Sequence, residues 1–582
     1  MSDRSSAEEN PELTRTPVEH APTGDAPTGE APTGEASPGD AFDEVVTTTR
    51  PRRGNRPGSA LDRWWWSIQA TAEQRRIWYW GGPLAVTLLG AILRFWNLQY
   101  PHTFMFDETY YVKDAYTLSQ LGYEASWPDG ANDSYLAGSL DIFQSDNGEF
   151  VVHPPLGKWI IWIGMWIFGS DNGLGWRFMS AVMGTLAIFI LAVLTRALFR
   201  STLLGTIAGG LLAIDGLALT MSRIALLDQS LMFFVLLAAC TLYLDRRWFE
   251  NHLIDRIRLY REHKGEDAQP FLGPAIWWRP WLLATGVLLG AACAVKWSGI
   301  YFLAFFGVYT VLADMFMRRR YGVFAWYSAA VLKQAPINAL VLLVPAFVTY
   351  LTSWTGWFLT DGGWGRHWAE EAGHAWTGVF SWVPLSIQSL WHYHVTAYNA
   401  ALAITSEHSW AANPLTWPLM TRPTLVFRET TYGAEATCGS DSCISTISTI
   451  ANPIIWWSAQ IAVVALVIIF IRTRGRDWRI PFILLPILAG YLPWLLYLKR
   501  TVFQIYTVAW LPFLILAIVY CIKLVLGNRT DPSRIRTPAV GLVGIYLGMV
   551  VGVSLFFYPL WVGTSIPYWY WQLHAWLPLT WQ

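Results

Sequence analysis

The chain is short of charge. Only 14% of its 582 residues are Asp, Glu, Lys or Arg, against 53% hydrophobic, where soluble domains carry about 25% charged residues. The acidic and basic residues cancel, so no basic field points to nucleic acid. There are five cysteines, with no CxxC pair and no His-rich ligand set, which leaves zinc without a motif. Neither G-x-x-x-x-G-K-[ST] nor a strand-borne G-x-G-x-x-G occurs, which argues against a nucleotide-fuelled cytoplasmic domain. No apolar core follows the initiator Met, so a cleavable signal peptide is not expected and the first span should act as an uncleaved anchor.

What is present is apolar sequence of membrane-spanning length, recurring from residue 82 to 560. This predicts an all-α, polytopic membrane protein. About eleven spans are expected, near 82–98, 177–195, 202–220, 229–245, 281–296, 300–317, 330–352, 452–471, 480–497, 503–526 and 538–560. The 36 Trp gather near predicted span ends and suit headgroup anchoring. Residues 1–60, with APTGDAPTGEAPTGEASPG, cannot bury a core and should be a disordered tail. Residues 61–81 read as a basic and aromatic juxtamembrane segment, and 561–582 as an aromatic tail.

Arg52, Arg53, Arg75 and Arg76 precede the first span, which predicts a cytoplasmic N-terminus and a plasma-membrane protein whose C-terminus is outside. Residues 155–169 are then read as an interfacial helix. Counting them as a span would put Arg196 and Arg200 outside, against the positive-inside trend. Two long outer segments follow, 99–176 and 353–451, within a catalytic region 82–560. Cys438 and Cys443, in ATCGSDSC, fit a disulfide if 353–451 faces an oxidising compartment.

The chemistry-bearing residues crowd the outer span ends. Asp107 and Glu108, in FMFDETYY, follow the first span. A carboxylate near hydrocarbon needs a partner or a function, and partial burial raises its pKa toward that of a useful base. His153 and Lys158 lie in VVHPPLGKW, where the prolines give a rigid helix entry. Packing and snorkelling of Lys158 would explain that stretch equally. Arg177, Arg223 with Asp228, Lys296 with Trp297, and Arg500 mark further outer ends. Each could simply pair with loop acids. Jointly, they suit a lipid phosphate.

FDETYYVKDA, VVHPPLGKW, GWRFMS, SRIALLD and VKWSG, in this order, resemble the protein O-mannosyltransferase family, lipid-phosphosugar-dependent glycosyltransferases of the GT-C fold. The resemblance covers about residues 80 to 560 and is similar to actinobacterial members. It implies a polyprenyl-phosphate-mannose donor and no required cofactor. It also implies a Ser or Thr acceptor on an unfolded secreted polypeptide, with the secretion machinery as a further partner. It makes Asp107 the catalytic base and Glu108 its neighbour that orients the acceptor or tunes the base. Arg177 is implied near the donor phosphate, with Lys158 and Arg500 as weaker candidates, and HPPLGK and KWSG line the same region. No metal is implied, although two adjacent carboxylates could hold a divalent cation. The chain departs from the pattern in two places. Segment 353–451 is too short for the sugar-binding-like insertion of fungal and animal members, and Val151 stands where those members tend to have an acid. Alternatives are transfer of another lipid-linked sugar to a lipid or glycan, a transporter, and a secretion scaffold. A transporter should show internal repeats and mid-span charges, and none is evident.

Overall fold

A computed structural model describes residues 57–577 and 581. The expected tail therefore lies, but for its last residues, outside the described residues. The fold is helical: α1 (Ala72–Phe95), α2 (Glu108–Leu121), α3 (Leu156–Phe168), α4 (Gly173–Phe199), α5 (Thr202–Ile214), α6 (Leu227–Lys264), α7 (Pro280–Val295) and α8 (Gly299–Arg320). Then follow α9 (Trp326–Ser353), α10 (Leu385–Ala403), α11 (Pro453–Arg472), α12 (Arg479–Leu496), α13 (Gln504–Leu526) and α14 (Ser533–Val562), with short helices between.

Among the described residues, eight helices are long and apolar enough to cross a membrane: α4, α6, α8, α9 and α11 to α14. Three apolar helices, α3, α5 and α7, are shorter. Each expected span meets a helix, but the first runs past the end of α1 at Phe95, and 202–220 is broken at Asp215 between α5 and a short helix, Gly216–Met221. The 13 residues of α3 reach only about 20 Å, against a hydrocarbon core of about 30 Å.

Local chemistry sets the ends of these helices and their approach. Thr71 and Gln74 form a capping box that starts α1. Arg94, buried near the end of that helix, donates to the carbonyls of Leu212 and Ala213, satisfying acceptors that the end of α5 leaves open. In α7, Gly286 and Gly290 meet the backbone of Leu342 and Ala346 in α9 directly, so this GxxxG seam lets the two helices touch. Arg279, at the start of α7, is buried between Asp245 of α6 and Asp314 of α8, and also donates to Asn338 of α9. Such a network holds four helices together, because removing one member strands a buried charge.

Two regions read as loop or tail hold ordered structure. Segment 353–451 contains α10 and the strands β1 (Leu425–Tyr432) and β2 (Ser442–Ser448), which pair antiparallel. The C-terminal stretch supplies β3 (Ile566–Pro567), giving a sheet of order β1-β2-β3. The indole of Trp581 is buried and donates to the carbonyl of Met420. The structure joins Cys438 and Cys443 in a disulfide at the β1–β2 connection.

Candidate active site

The chain turns sharply into α2. Phe106 takes a left-handed backbone, φ 51°, which a bulky residue adopts only when its surroundings fix it. Asp107 follows as the N-cap, but its carboxylate makes no capping bond and stays available. The phenol of Tyr111 donates to Asp107 Oδ2 at 3.4 Å. Burial raises the Asp107 carboxyl to about 6, with Asp228 pushing the same way and Lys296 and Tyr111 opposing. A carboxylate so tuned is half-ionised near pH 6 and mostly ionised at neutral pH, a range where a general base works well.

Glu108 has a different place from its neighbour. It is fully buried and accepts four hydrogen bonds. Arg177 Nε donates to Oε1 at 2.9 Å and Nη2 to Oε2 at 2.8 Å; the backbone N–H groups of Met105 and Ala225 supply the others, both at 2.8 Å. Four bonds fill its acceptor capacity. Glu108 therefore has no lone pair for an acceptor hydroxyl or for a cation shared with Asp107.

Arg177 is equally committed. Beyond Glu108, its Nη1 donates to the carbonyls of Gln99 at 3.2 Å and Pro101 at 2.9 Å, and Nη2 to Thr103 at 2.8 Å. All five N–H groups are spent, and the side chain has no exposed surface. This geometry leaves Arg177, expected near the donor phosphate, no free N–H; it clamps the run of turns and bends that leads to Asp107.

Two more expected phosphate ligands face inward. Lys158 is buried beside Glu124 at 2.5 Å and Asp114 at 3.9 Å, and donates to the carbonyl of His153. It ties α3 to α2, so neither a phosphate role nor snorkelling describes it. Arg223 donates to the carbonyls of Leu93, Arg94, Trp96 and Asn97. It caps the C-terminus of α1, where cations are favoured.

The remaining candidates converge on a cavity of about 870 Å³. His153, Lys296, Trp297 and Arg500 line it. Lys296 donates to both oxygens of Asp228, at 2.8 and 2.9 Å, and sits over the Tyr506 ring. His153 Nδ1 and Arg500 Nε are buried and have no hydrogen-bond partner among the described residues. Burial, then the cations Lys296, Lys158 and Arg500, hold the His153 imidazole well below its usual range. The ring is neutral and can offer one N–H. Trp297 donates to Tyr350, whose hydroxyl meets His394 Nε2 at 2.5 Å. Most of the other lining is apolar or aromatic. Asp107 borders this polar end: Tyr111, which it binds, has its ring 6.0 Å from that of His153.

Residues 84–355 match the dolichyl-phosphate-mannose-protein mannosyltransferase family, and 386–581 match the C-terminal four TMM region of protein-O-mannosyltransferase. A polyprenol-phosphate-mannose–protein mannosyltransferase of Mycolicibacterium smegmatis is 35% identical over 515 residues, covering 86% of this chain and 92% of that protein. The chain belongs to the protein O-mannosyltransferase family. A relative of the same description from Mycobacterium tuberculosis is 34% identical over 514 residues, 85% of this chain and 90% of its own. The solved Saccharomyces cerevisiae protein O-mannosyltransferase complex bound to the sugar donor superposes with a TM-score of 0.64 at 14% identity, covering 90% of this chain and 95% of that one. It shows the shared GT-C fold of a multi-pass membrane protein.

Sequence reasoning missed Tyr111, Tyr506, Tyr350 and His394 as members of this mannosyltransferase site. FQIY and WHYHV hold Tyr506 and His394 without a diagnostic spacing. Only the fold brings Tyr506, Tyr350 and His394 to the cavity, with Tyr111 beside His153.

Proposed function

We propose that the chain transfers mannose from polyprenyl-phosphate mannose to Ser or Thr hydroxyls of secreted polypeptides at the outer face of the plasma membrane. The observation that carries this reading is a poised carboxylate, Asp107, beside a largely apolar cavity with buried, unpartnered donors at its polar end. The hydroxyl oxygen attacks C1 of mannose as the C1–O bond to phosphate breaks. Asp107 takes the hydroxyl proton. Polyprenyl phosphate leaves with the electron pair, and the anomeric centre inverts. Arg500, with the His153 N–H, meets the developing phosphate charge, where preorganised donors have most effect. Lys296 adds positive potential and holds the Asp107 titration down. The acceptor is an extended polypeptide, delivered as the secretion machinery releases it, with the N-terminus of the enzyme in the cytoplasm.

The test is mannose transfer in proteoliposomes from the lipid donor to a Ser/Thr-rich peptide. Product with mannose alone among lipid-phosphate sugars supports the reading. Product only with another sugar replaces it. Arg500→Gln should raise the donor KM about 10- to 100-fold, the worth of a charge-assisted hydrogen bond. An unchanged KM removes Arg500 from the phosphate site. Non-reducing mass mapping of the mature protein checks the orientation. A bonded Cys438–Cys443 pair is expected, and two free thiols count against an outer placement of that segment.

A further inference from the structure

Two further cavities adjoin each other and share no lining residue with the one beside Asp107. One is an apolar groove of about 480 Å³ between α1, α5 and α14, lined by Leu89 and Leu93, by Ile207 and Leu211, and by Leu547 and Leu555. Gly210 leaves room on the α5 side, where an added Cβ would meet only Val86, at 3.6 Å. Leu89, Val551 and Leu555 are exposed, the last 71% so, and the groove therefore opens sideways on the apolar surface of the spanning helix α14. From Leu547 to Trp561 it follows about 21 Å of helix, enough for one acyl layer of a hydrocarbon core about 30 Å thick.

The other cavity, about 470 Å³, sits where α1 and α14 end, and Tyr558 of α14 lines both. Its lining is of another kind. It holds three charged side chains, Arg223, Glu429 and Glu435. Glu429 and Thr431 alternate along β1, so they share the strand face turned to the cavity. Glu429 and Glu435 are exposed, and neither carboxylate has a hydrogen bond or ion pair among the described residues.

Arg223 is buried at the base. Its Nη1 serves the carbonyls of Leu93, Arg94 and Trp96, and one N–H of Nη2 serves that of Asn97. Nε and the second Nη2 N–H have no partner among the described residues. Those two share one edge of the guanidinium, the edge that grips a phosphate through two parallel bonds.

These charges narrow the occupant. Two unpaired carboxylates repel a head group that is only anionic, and a free arginine edge repels one that is only cationic. A head group carrying a phosphate and a primary ammonium satisfies both, while the groove takes a tail. We infer that the paired cavities hold one phosphoethanolamine lipid of the leaflet on the Asp107 side. Its phosphate lies on the Nε/Nη2 edge of Arg223, its ammonium at Glu429 and Glu435, and an acyl chain between α1, α5 and α14. The lipid also braces the approach to Asp107. Asn97 and Tyr100 wall the head-group cavity, and Arg177 holds the carbonyls of Gln99 and Pro101 on either side of Tyr100. None of this rests on the glycosyl-transfer reading.

The experiment moves the full chain from nanodiscs of equal palmitoyl-oleoyl phosphatidylethanolamine, phosphatidylglycerol and phosphatidylcholine into mild detergent, and counts retained lipid by native mass spectrometry. Wild type is expected to keep one ethanolamine lipid with about tenfold preference over the other two, the worth of one charge-assisted hydrogen bond. Glu429→Gln with Glu435→Gln should erase that preference. Gly210→Leu fills the groove and should lose the retained lipid whatever its head group. The two glutamates stand at exposed positions, so the paired variant keeps the test open if Gly210→Leu does not fold. Equal retention of all three lipids by wild type overturns the head-group assignment. Ethanolamine lipid retained unchanged by the glutamate variant lies elsewhere and overturns the inference. Polyprenyl phosphate retained in its place overturns it in favour of a second site for donor lipid. No retained lipid also overturns it, and a Leu555→Cys disulfide between two copies then gives the groove to a second copy.

Discussion

Replacing Asp107 by Asn is expected to cut kcat for mannose transfer about a thousandfold, within the 10²–10⁴ range that general-base catalysis contributes. The amide keeps the size of the carboxylate and can still accept from Tyr111, so the yield of folded protein should not change. What it loses is the ability to take a proton. The donor KM should move little, because the phosphate contacts assigned above belong to Arg500 and His153. The pH profile gives a second check. Burial raises Asp107 to about 6, and the base works only when deprotonated. In wild type kcat/KM should therefore climb from pH 5 to 7 with a midpoint near 6, a value that reports the free enzyme. Lys296 opposes that rise, so Lys296→Met should move the midpoint upward, and Asp228, stripped of its cation, adds to the same direction. A wild-type profile flat across pH 5 to 7, or full activity in Asp107→Asn, removes Asp107 as the base.

How far the sequence shows this arrangement depends on how local each signal is. The helices are legible because an apolar run is a property of consecutive residues. Asp107 is legible because its place after the first span is local too. The fates of Arg177 and Lys158 are not. Arg177 reaches Glu108 across 69 positions, and nothing near GWRFMS says that its guanidinium turns inward. Lys158 looks like a surface cation beside an apolar helix, yet meets Glu124 and Asp114 from a separate element. A charge near the membrane thus suggests a ligand by its cost alone, and only the fold tells whether protein or substrate meets that cost. Segment 353–451 hid for the opposite reason. Helix α10 is too polar to register as a span, and its polar residues are matched by partners far along the chain.

The clamp behind Asp107 gives the second large effect. Arg177→Met removes the counter-charge of a fully buried carboxylate and frees the carbonyls of Gln99, Pro101 and Thr103. Breaking a buried pair from one side costs about 3–5 kcal/mol. The variant should therefore unfold well below wild type in a thermal scan followed by tryptophan emission. Glu108→Gln strands the guanidinium instead and should also destabilise. The paired change Glu108→Gln with Arg177→Met leaves no uncompensated charge, so it should recover part of the stability lost in either single variant. Activity should not recover with it. The pair also fixes the turn that presents Asp107, and an error of about 1 Å in a catalytic group costs about a hundredfold in rate. A folded double variant with low kcat and a nearly normal donor KM is thus the expected signature of a positioning pair. Full kcat in that variant would reduce Glu108 and Arg177 to a fold-stabilising contact. A selective rise in donor KM in a folded Arg177→Met enzyme would return Arg177 to the phosphate site, against the five bonds that the structure gives it.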